Sequence, residues 1–470
     1  MNKTTLISLS ALVCAASLSA AKQPNIIVIL TDDLSYSSYS YTGNENIKTP
    51  HVDKLINDGV FFNQAYATHA VCAPSRAGLL TGRYQSRFHY ETLSGNDKEA
   101  VELRHGVSTD EVFLSRQLKK SGYTTAAFGK WHLGVNEEFR PAARGFDYHF
   151  GFYGGGNGYF NWEGVYENGV EAKGEGYLTD ALGDKAVSFI DRNKDKPFFI
   201  YFAPYNVHAP LDVDPKYLPP GTPYNKAKWD KKLGTNDVKA NTIYDGMVVG
   251  FDAQVGKIVS KLDELGLSDD TLIFLTNDNG GTGQRMNPPF SGNKASYYEG
   301  GVRMPFAIKW PSQIKAGTTF DGMMSNLDIF PTSIAAAKGE MLTDRDYDGK
   351  DLLPYLKGEI KGAPHDQLFW RAGSGHFTRK GKYKLHWPVN RKTSAVELEK
   401  RLGRKVRKQD LPLYDQDYYL KPMLFDLSKD MEEKNDIADQ FPEIVEALCK
   451  DIKDFDKLNE TDKIQGTAKK

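Results

Sequence analysis

Cysteine is nearly absent from this chain: three in 470 residues, Cys14, Cys72 and Cys449. That scarcity excludes a disulfide scaffold, which needs several pairs. Charge of one sign is also missing. Lys and Arg number 60 against 61 Asp and Glu, a formal net charge of −1, so the electrostatic footprint of a nucleic-acid partner is not there. No apolar run reaches the length of a membrane span. No internal repeat or low-complexity tract breaks the chain. What is left, 40% hydrophobic and 26% charged, suits one large globular domain with a smaller one attached.

The start of the chain carries information. Lys3 precedes an apolar run from Leu6 to Leu18, and Ser19-Ala20-Ala21 offers the small residues a signal peptidase needs, so residues 1–21 are expected to be a signal peptide and the protein exported, periplasmic or secreted. Cys14 follows Val13 where a lipoprotein site wants a small residue, which disfavours a lipid anchor. Cys72 and Cys449 then remain, too far apart in sequence to claim a bond. Cys449 fits the apolar face of a helix around Ile444 to Leu448, whereas Cys72 is there for reactivity.

Continuous apolar runs mark strands covered on both faces. Asn25 to Leu30 ends in Thr31-Asp32-Asp33; Tyr123 to Phe128 leads to Lys130 and His132; Phe198 to Phe202 leads to Tyr205, Asn206 and His208; Thr271 to Thr276 ends in Asn277-Asp278-Asn279. Helical periodicity separates them, at Thr49 to Asp58, Val112 to Lys120, Thr179 to Asn193 and Ile243 to Leu265. The alternation predicts an α/β fold, with a large, mostly parallel sheet between helices and polar groups gathered beyond the carboxyl ends of its strands. Gly362-Ala363-Pro364 punctuates the pattern, giving a main domain at 22–360 and a C-terminal subdomain at 361–470. In the latter, Gln367 to Trp370, Tyr383 to Trp387 and Met423 to Leu427 read as short strands, and Phe441 to Phe455 as a closing helix.

The chain is organised around Cys72-Ala73-Pro74-Ser75-Arg76, continuing through Leu79-Leu80-Thr81-Gly82-Arg83. Pro74 suits the first turn of a helix and so places Cys72 at its mouth, where free N–H groups favour an anion. Arg76 adds a guanidinium fork one turn in. An isolated cysteine is ordinarily a small buried apolar residue. This motif, with Gly129-Lys130-Trp131-His132-Leu133-Gly134 beyond it, resembles instead the formylglycine-dependent sulfatases, from Asn25 to about Gln440. The resemblance implies the alkaline-phosphatase-like fold, a mixed, mostly parallel sheet with a small C-terminal α+β subdomain. It also implies oxidation of Cys72 to an aldehyde by a formylglycine-generating enzyme.

Adjacent carboxylates at Asp32 and Asp33 repel unless a cation lies between them, and hard oxygens favour calcium or magnesium over zinc. Alone, either pair would be read as a turn or a cap. The resemblance makes Asp32, Asp33, Asp278, Asn279 and the modified Cys72 ligands of calcium, with magnesium as the alternative ion. It implies that a hydroxyl of the hydrated aldehyde attacks sulfur, that the leaving alcohol takes its proton from His208, and that His132 assists sulfate release. Arg76, Lys130 and Lys294 answer the charge that builds on the transferred group. Lys294 precedes Glu299-Gly300-Gly301-Val302-Arg303-Met304-Pro305, a further family-like stretch. His51, His105, His365 and His386 read as structural, and His69, His89 and His149 as either structural or pocket-lining.

Two segments could select a substrate. Phe146 to Gly158, dense in glycine and aromatics, is expected to be a surface loop near the site, its aromatics serving sugar rings or the core equally well. Lys400 to Lys408, reading KRLGRKVRK, lies between two strands of the subdomain; a charge run is usually a solvated face, yet this one could draw a polyanion. The expected activity is removal of O-sulfate from a sulfated carbohydrate, with a carrageenan-type galactan favoured because the chain resembles bacterial sulfatases of that kind. A glycosaminoglycan sulfatase, a phosphonate or phosphate ester hydrolase, and a non-catalytic binder of sulfated glycans are the alternatives. Oligomeric state is not legible.

Overall fold

Every residue of β1 (Asn25–Thr31) is buried. Successive side chains of a strand point to opposite faces. Ile27 and Ile29 therefore enter one apolar core while Ile26, Val28 and Leu30 enter another. The chain is described here by a computed structural model covering residues 23–92, 102, 105–160, 162–222, 238–282, 287–389 and 420–461. The leader and the basic segment 400–408 lie outside the described residues.

Among these residues, ten strands form the main sheet, numbered in chain order. In space they run β11 (Thr318–Phe320), β2 (Val60–Phe62), β10 (Ala307–Lys309), β9 (Thr271–Asn277), β1, β8 (Phe198–Ala203), β4 (Thr124–Lys130), β5 (Tyr148–Phe152), β6 (Tyr166–Glu167) and β7 (Val170–Glu171). The centre, β9-β1-β8-β4-β5, is parallel, while β10 and β6 run antiparallel to their neighbours. β3 (Ala65–Tyr66) and β12 (Met324–Ser325) pair separately. Helices Pro50–Asn57, Leu178–Asn193 and Val238–Glu264 cover one face through Val52, Phe189, Met247 and Phe251. Helices Cys72–Thr81, Leu114–Lys120 and Ile329–Ala336 cover the other through Leu80, Leu118 and Phe330. Each such side chain contributes ~1.5–3 kcal/mol when buried.

The C-terminal part adds an antiparallel sheet, β13 (Gln367–Ala372), β14 (Gly375–Lys380), β15 (Tyr383–Pro388) and β16 (Met423–Asp426), with helix Pro442–Thr461 against it. Trp370 fixes it to the main body: its indole N–H donates to the Ala67 carbonyl at 2.8 Å. The fold class is thus the mixed, mostly parallel α/β arrangement expected. None of the helices in the described residues is long and apolar enough to cross a membrane.

One expectation is corrected. Residues 148–152, read as part of a surface loop, form β5, buried beside β4. Its glycine reflects close approach rather than a turn, since a Cβ at Gly151 would stand 2.0 Å from the Gly129 carbonyl oxygen. Tyr153 stacks on Tyr166, and Tyr159 on Tyr205, so these aromatics pack internally. The loop proper is 153–158.

Candidate active site

Four neighbouring strands of the parallel centre, β9, β1, β8 and β4, end on one side of the sheet, and the polar residues follow each end. Main-chain bonds lock these exits together. The Asp32 N–H donates to the Asn206 carbonyl at 2.9 Å, Val207 N–H to the Asp32 carbonyl at 2.7 Å, and Asp278 N–H to the Thr31 carbonyl at 3.2 Å. Asn277 bridges two turns, accepting from Leu34 N–H at 3.4 Å and donating to the Leu34 carbonyl at 2.7 Å and to the Asn279 carbonyl. Asp33 and His132 hold left-handed backbone at φ 57° and 59°, a strain that tends to collect where side chains must be aimed.

Helix Cys72–Thr81 begins at the cysteine and is buried throughout. Gly78 permits this, because a Cβ there would lie 2.5 Å from the Thr68 hydroxyl oxygen. The helix mouth is tethered by the Ala295 N–H, which donates to the Ala70 carbonyl at 2.8 Å. His69 accepts at Nδ1 from Val71 N–H at 3.2 Å and, so protonated at Nε2, donates to the Tyr297 hydroxyl at 2.8 Å. Its role there is structural.

The structure gathers all the expected site residues. Lys130 contacts Asp32 at 2.5 Å, Lys294 contacts Asp33 at 2.7 Å, and His208 Nε2 lies 3.8 Å from Asp33. Arg76 does not hold an open fork. It donates to Asp278 at 2.9 Å, the Lys130 carbonyl at 3.2 Å and the Tyr201 hydroxyl at 3.4 Å, and its Nη2 lies in ion-pair range of Asp32 at 3.4 Å. Its charge therefore acts on the aspartates. Ligating atoms of Asp32, Cys72 and Asp278 lie within 4.8 Å of one another.

Ionisation follows this crowding. Burial would raise the Asp32 carboxyl, but Lys130, His208 and Arg76 overcome it and hold Asp32 ionised. Asp278 is pushed up to about 7, by burial and then by the charge on Asp32. Burial raises the Cys72 thiol, so the unmodified residue is no thiolate nucleophile. Burial and the Lys130 and Arg76 charges lower His132, and burial lowers His208 despite Asp32.

A divalent ion fits the donor set. Oδ1 of Asp32 and Oδ1 of Asn279 are buried without a hydrogen-bond partner, and a buried acceptor left bare costs ~1–3 kcal/mol. The Asn279 amide nitrogen donates to Asp33 at 2.8 Å, which turns its oxygen away from that carboxylate. Carboxylate and amide oxygens are the ligands calcium and magnesium prefer.

Sequence reasoning missed several supporting residues. Asn287 accepts from Gly281 N–H at 3.1 Å and from Tyr36 N–H at 3.3 Å, clamping the Asp278 turn. Tyr159 donates to the Tyr205 and His208 carbonyls at 2.8 and 3.0 Å. Neither carries a local signal, because the bonds to Tyr36, Tyr205 and His208 join segments distant in sequence.

The profile of the sulfatase family matches residues 24–339. The chain belongs to the sulfatase family. A second profile, that of the N-sulphoglucosamine sulphohydrolase C-terminal region, matches residues 292–393. N-acetylgalactosamine-6-sulfatase of Mus musculus is 34% identical over 410 residues, 81% of this sulfatase and 75% of the relative. The uncharacterized sulfatase YdeN of Escherichia coli K12 is 30% identical, covering 76% and 70%. Among solved structures, Ps i-CgsB superimposes with a TM-score of 0.76 at 30% identity, covering 95% and 94%; its complex with k-i-k-neocarrahexaose gives 0.75 at 29%. The sulfatase is accordingly a sulfuric ester hydrolase of the alkaline-phosphatase-like fold.

Proposed function

We propose that this sulfatase, after export, removes O-sulfate from a sulfated polysaccharide or its oligosaccharides, with a carrageenan-type galactan as substrate, calcium in the acidic site and Cys72 converted to formylglycine. The observation that carries the metal-dependent reading is the pair of bare buried oxygens, Asp32 Oδ1 and Asn279 Oδ1, beside the Cys72 helix mouth. Likeness to Ps i-CgsB, solved with a neocarrahexaose, supports the galactan. The competing glycosaminoglycan reading is favoured by the match to the N-sulphoglucosamine sulphohydrolase C-terminal region and by the murine N-acetylgalactosamine-6-sulfatase.

Asp32, Asp33, Asp278 and Asn279 would hold the ion, whose chemistry is to withdraw charge from the sulfate oxygens. Cys72, once converted to the hydrated aldehyde, would supply the attacking hydroxyl. Lys130 and Lys294 stand beside Asp32 and Asp33 and add fixed positive charge where negative charge grows on the transferred group. His208, as the imidazolium, would give its Nε2 proton to the leaving sugar oxygen, the nearby Asp32 and Asp33 carboxylates favouring that charged form against burial. Its Nδ1–H donates to the Ala209 carbonyl at 2.6 Å, which orients the ring with Nε2 toward Asp33. His132 would accept the proton released at residue 72 when sulfate leaves. Lys400 to Lys408 would draw the polyanionic chain.

The test is release of inorganic sulfate from carrageenan oligosaccharides by protein made together with a formylglycine-generating enzyme and shown by peptide mass to carry the aldehyde at position 72. Release that disappears in Cys72→Ala supports the proposal. Aldehyde-bearing protein that frees sulfate only from glycosaminoglycan fragments transfers it to the second substrate class.

A further inference from the structure

The turn that carries Asp278 and Asn279 is backed by the segment Glu299–Val302. The Gly280 N–H donates to the Gly301 carbonyl at 2.9 Å, and the Lys294 N–H donates to the Gly281 carbonyl at 3.0 Å. A Cβ on Gly280 would stand 1.9 Å from the Gly300 carbonyl oxygen, so the two backbones are in direct contact. Any displacement of Glu299–Val302 is passed to the acidic turn.

Glu299 itself is held from the C-terminal sheet. Its fully buried carboxylate accepts from Lys384 of β15 at 2.8 Å on Oε1, and from the Tyr66 hydroxyl at 2.7 Å and Arg303 at 3.1 Å on Oε2. Its N–H donates to Glu433 Oε2 at 2.5 Å. Glu433 Oε1 takes His386 Nε2 at 2.9 Å and Lys384 at 3.3 Å. Lys384, Glu299, His386 and Glu433 are all buried. Side chain and main chain of Glu299 thus both hang on residues that come after position 380.

We propose that Lys384, Glu433 and Glu299 are positioning residues that set the calcium affinity of the Asp278–Asn279 turn from the C-terminal sheet. The inference rests on the metal reading above. Its physical basis is that ligands bind tightly only when held in place beforehand, and loss of a supporting contact behind them typically weakens metal binding about 10–100-fold. Removing Lys384 leaves two buried carboxylates facing each other without their shared cation; their repulsion shifts Glu299, then Gly301, then Gly280.

The experiment is calorimetric titration of the mature, metal-free protein with calcium chloride, comparing wild type with Lys384→Met, Glu433→Gln and Lys384→Arg. The expected result is calcium Kd raised about tenfold in the first two, partly restored in Lys384→Arg, with kcat on an aryl sulfate recovering at saturating calcium. Lys380→Ala removes an exposed ion pair between β14 of the same sheet and Asp451 of helix Pro442–Thr461 and should leave Kd unaltered. If Lys384→Met fails to fold, Glu433→Gln, which keeps shape and acceptor oxygen, carries the test. Unaltered Kd in folded variants, even with a lowered Tm, overturns the inference and assigns the cluster a purely structural role. A wild type that binds no calcium overturns the metal reading as well, which separates the two failures.

Discussion

Two buried ionic clusters, one at the strand ends and one behind them, use the same residue types to opposite ends. Around Glu299 and Glu433 every carboxylate oxygen has a donor, from Lys384, Tyr66, Arg303, His386 or a main-chain N–H. Around Asp32 and Asp278 the accounting stays open: Asp32 Oδ1 and Asn279 Oδ1 have none, and Asp278 is pushed up to about 7 by burial and by its neighbour's charge. A closed network specifies and stiffens a fold, whereas an open one waits for a ligand. Burial alone would not have told them apart.

The sharpest way to break this contrast is to mutate each side and read both activity and stability. Cys72→Ala or Asp278→Asn should abolish sulfate release to the background rate, while Tm in the absence of calcium changes little, because the first removes only a neutral side chain and the second one of several crowded acids. A large loss of Tm without calcium in Asp278→Asn would show that the cluster is structural after all. Glu299→Gln should do the reverse at the level of stability. It leaves Lys384 the Glu433 carboxylate at 3.3 Å, takes from Arg303 the carboxylate 3.1 Å away, and is expected to cost ~3–5 kcal/mol in urea unfolding, the scale for breaking a buried pair. A cost below ~1 kcal/mol would mean the cluster relaxes freely.

A finer test lies in the glycine loop that runs between His132 and His208, the histidines proposed for proton transfer. A Cβ at Gly155 would stand 2.9 Å from Cε1 and Nε2 of His132, whereas one at Gly156 would stand 3.5 Å from the His208 ring, an ordinary contact. Gly155→Ala should therefore lower kcat about 10–100-fold by displacing a proton-transfer group, and Gly156→Ala much less. Equal effects would remove the steric argument.

The smallest expected effect concerns pH. His149 is buried with neither ring nitrogen hydrogen-bonded, and burial lowers it to about 3. The unfolded chain binds that proton near pH 6.5 and the folded one does not, so stability falls as pH drops below 6.5 and continues falling towards 3. At pH 5 the loss is about 2 kcal/mol. His149→Phe, which keeps the stack on Tyr153, should flatten that slope in urea melts at pH 7 and 5 without altering turnover.

Much of this architecture was legible because it is written in short range. β1, β4, β8 and β9 announce themselves as apolar runs, and each delivers its polar residues at its end, so the convergence at Asp32, Lys130, His208 and Asp278 follows from a parallel sheet having one carboxyl edge. Helix starts and the three expected strands of the small sheet were visible in the same way. β5 was not, because glycine signals loops locally, while Gly151 serves a contact with Gly129 that exists only once β4 and β5 pair. β14 was missed because Phe377 stands alone among polar residues, His376, Thr378, Arg379 and Lys380, of which His376 pairs with Asp456 and Arg379 with Tyr66 and Gln64 from elsewhere in the fold.

By itself the sequence determined the fold class, the strand-end placement of the acids and bases, and the Cys72 motif, since periodicity and motif spacing are properties of neighbours along the chain. Only the tertiary structure decided which charges meet which. It turned Arg76 towards Asp32 and Asp278, put Lys384 against Glu299, and left Asp32 Oδ1 and Asn279 Oδ1 bare at the strand ends. The reason is that electrostatic energy depends on distance and burial in space, neither of which the order of residues states.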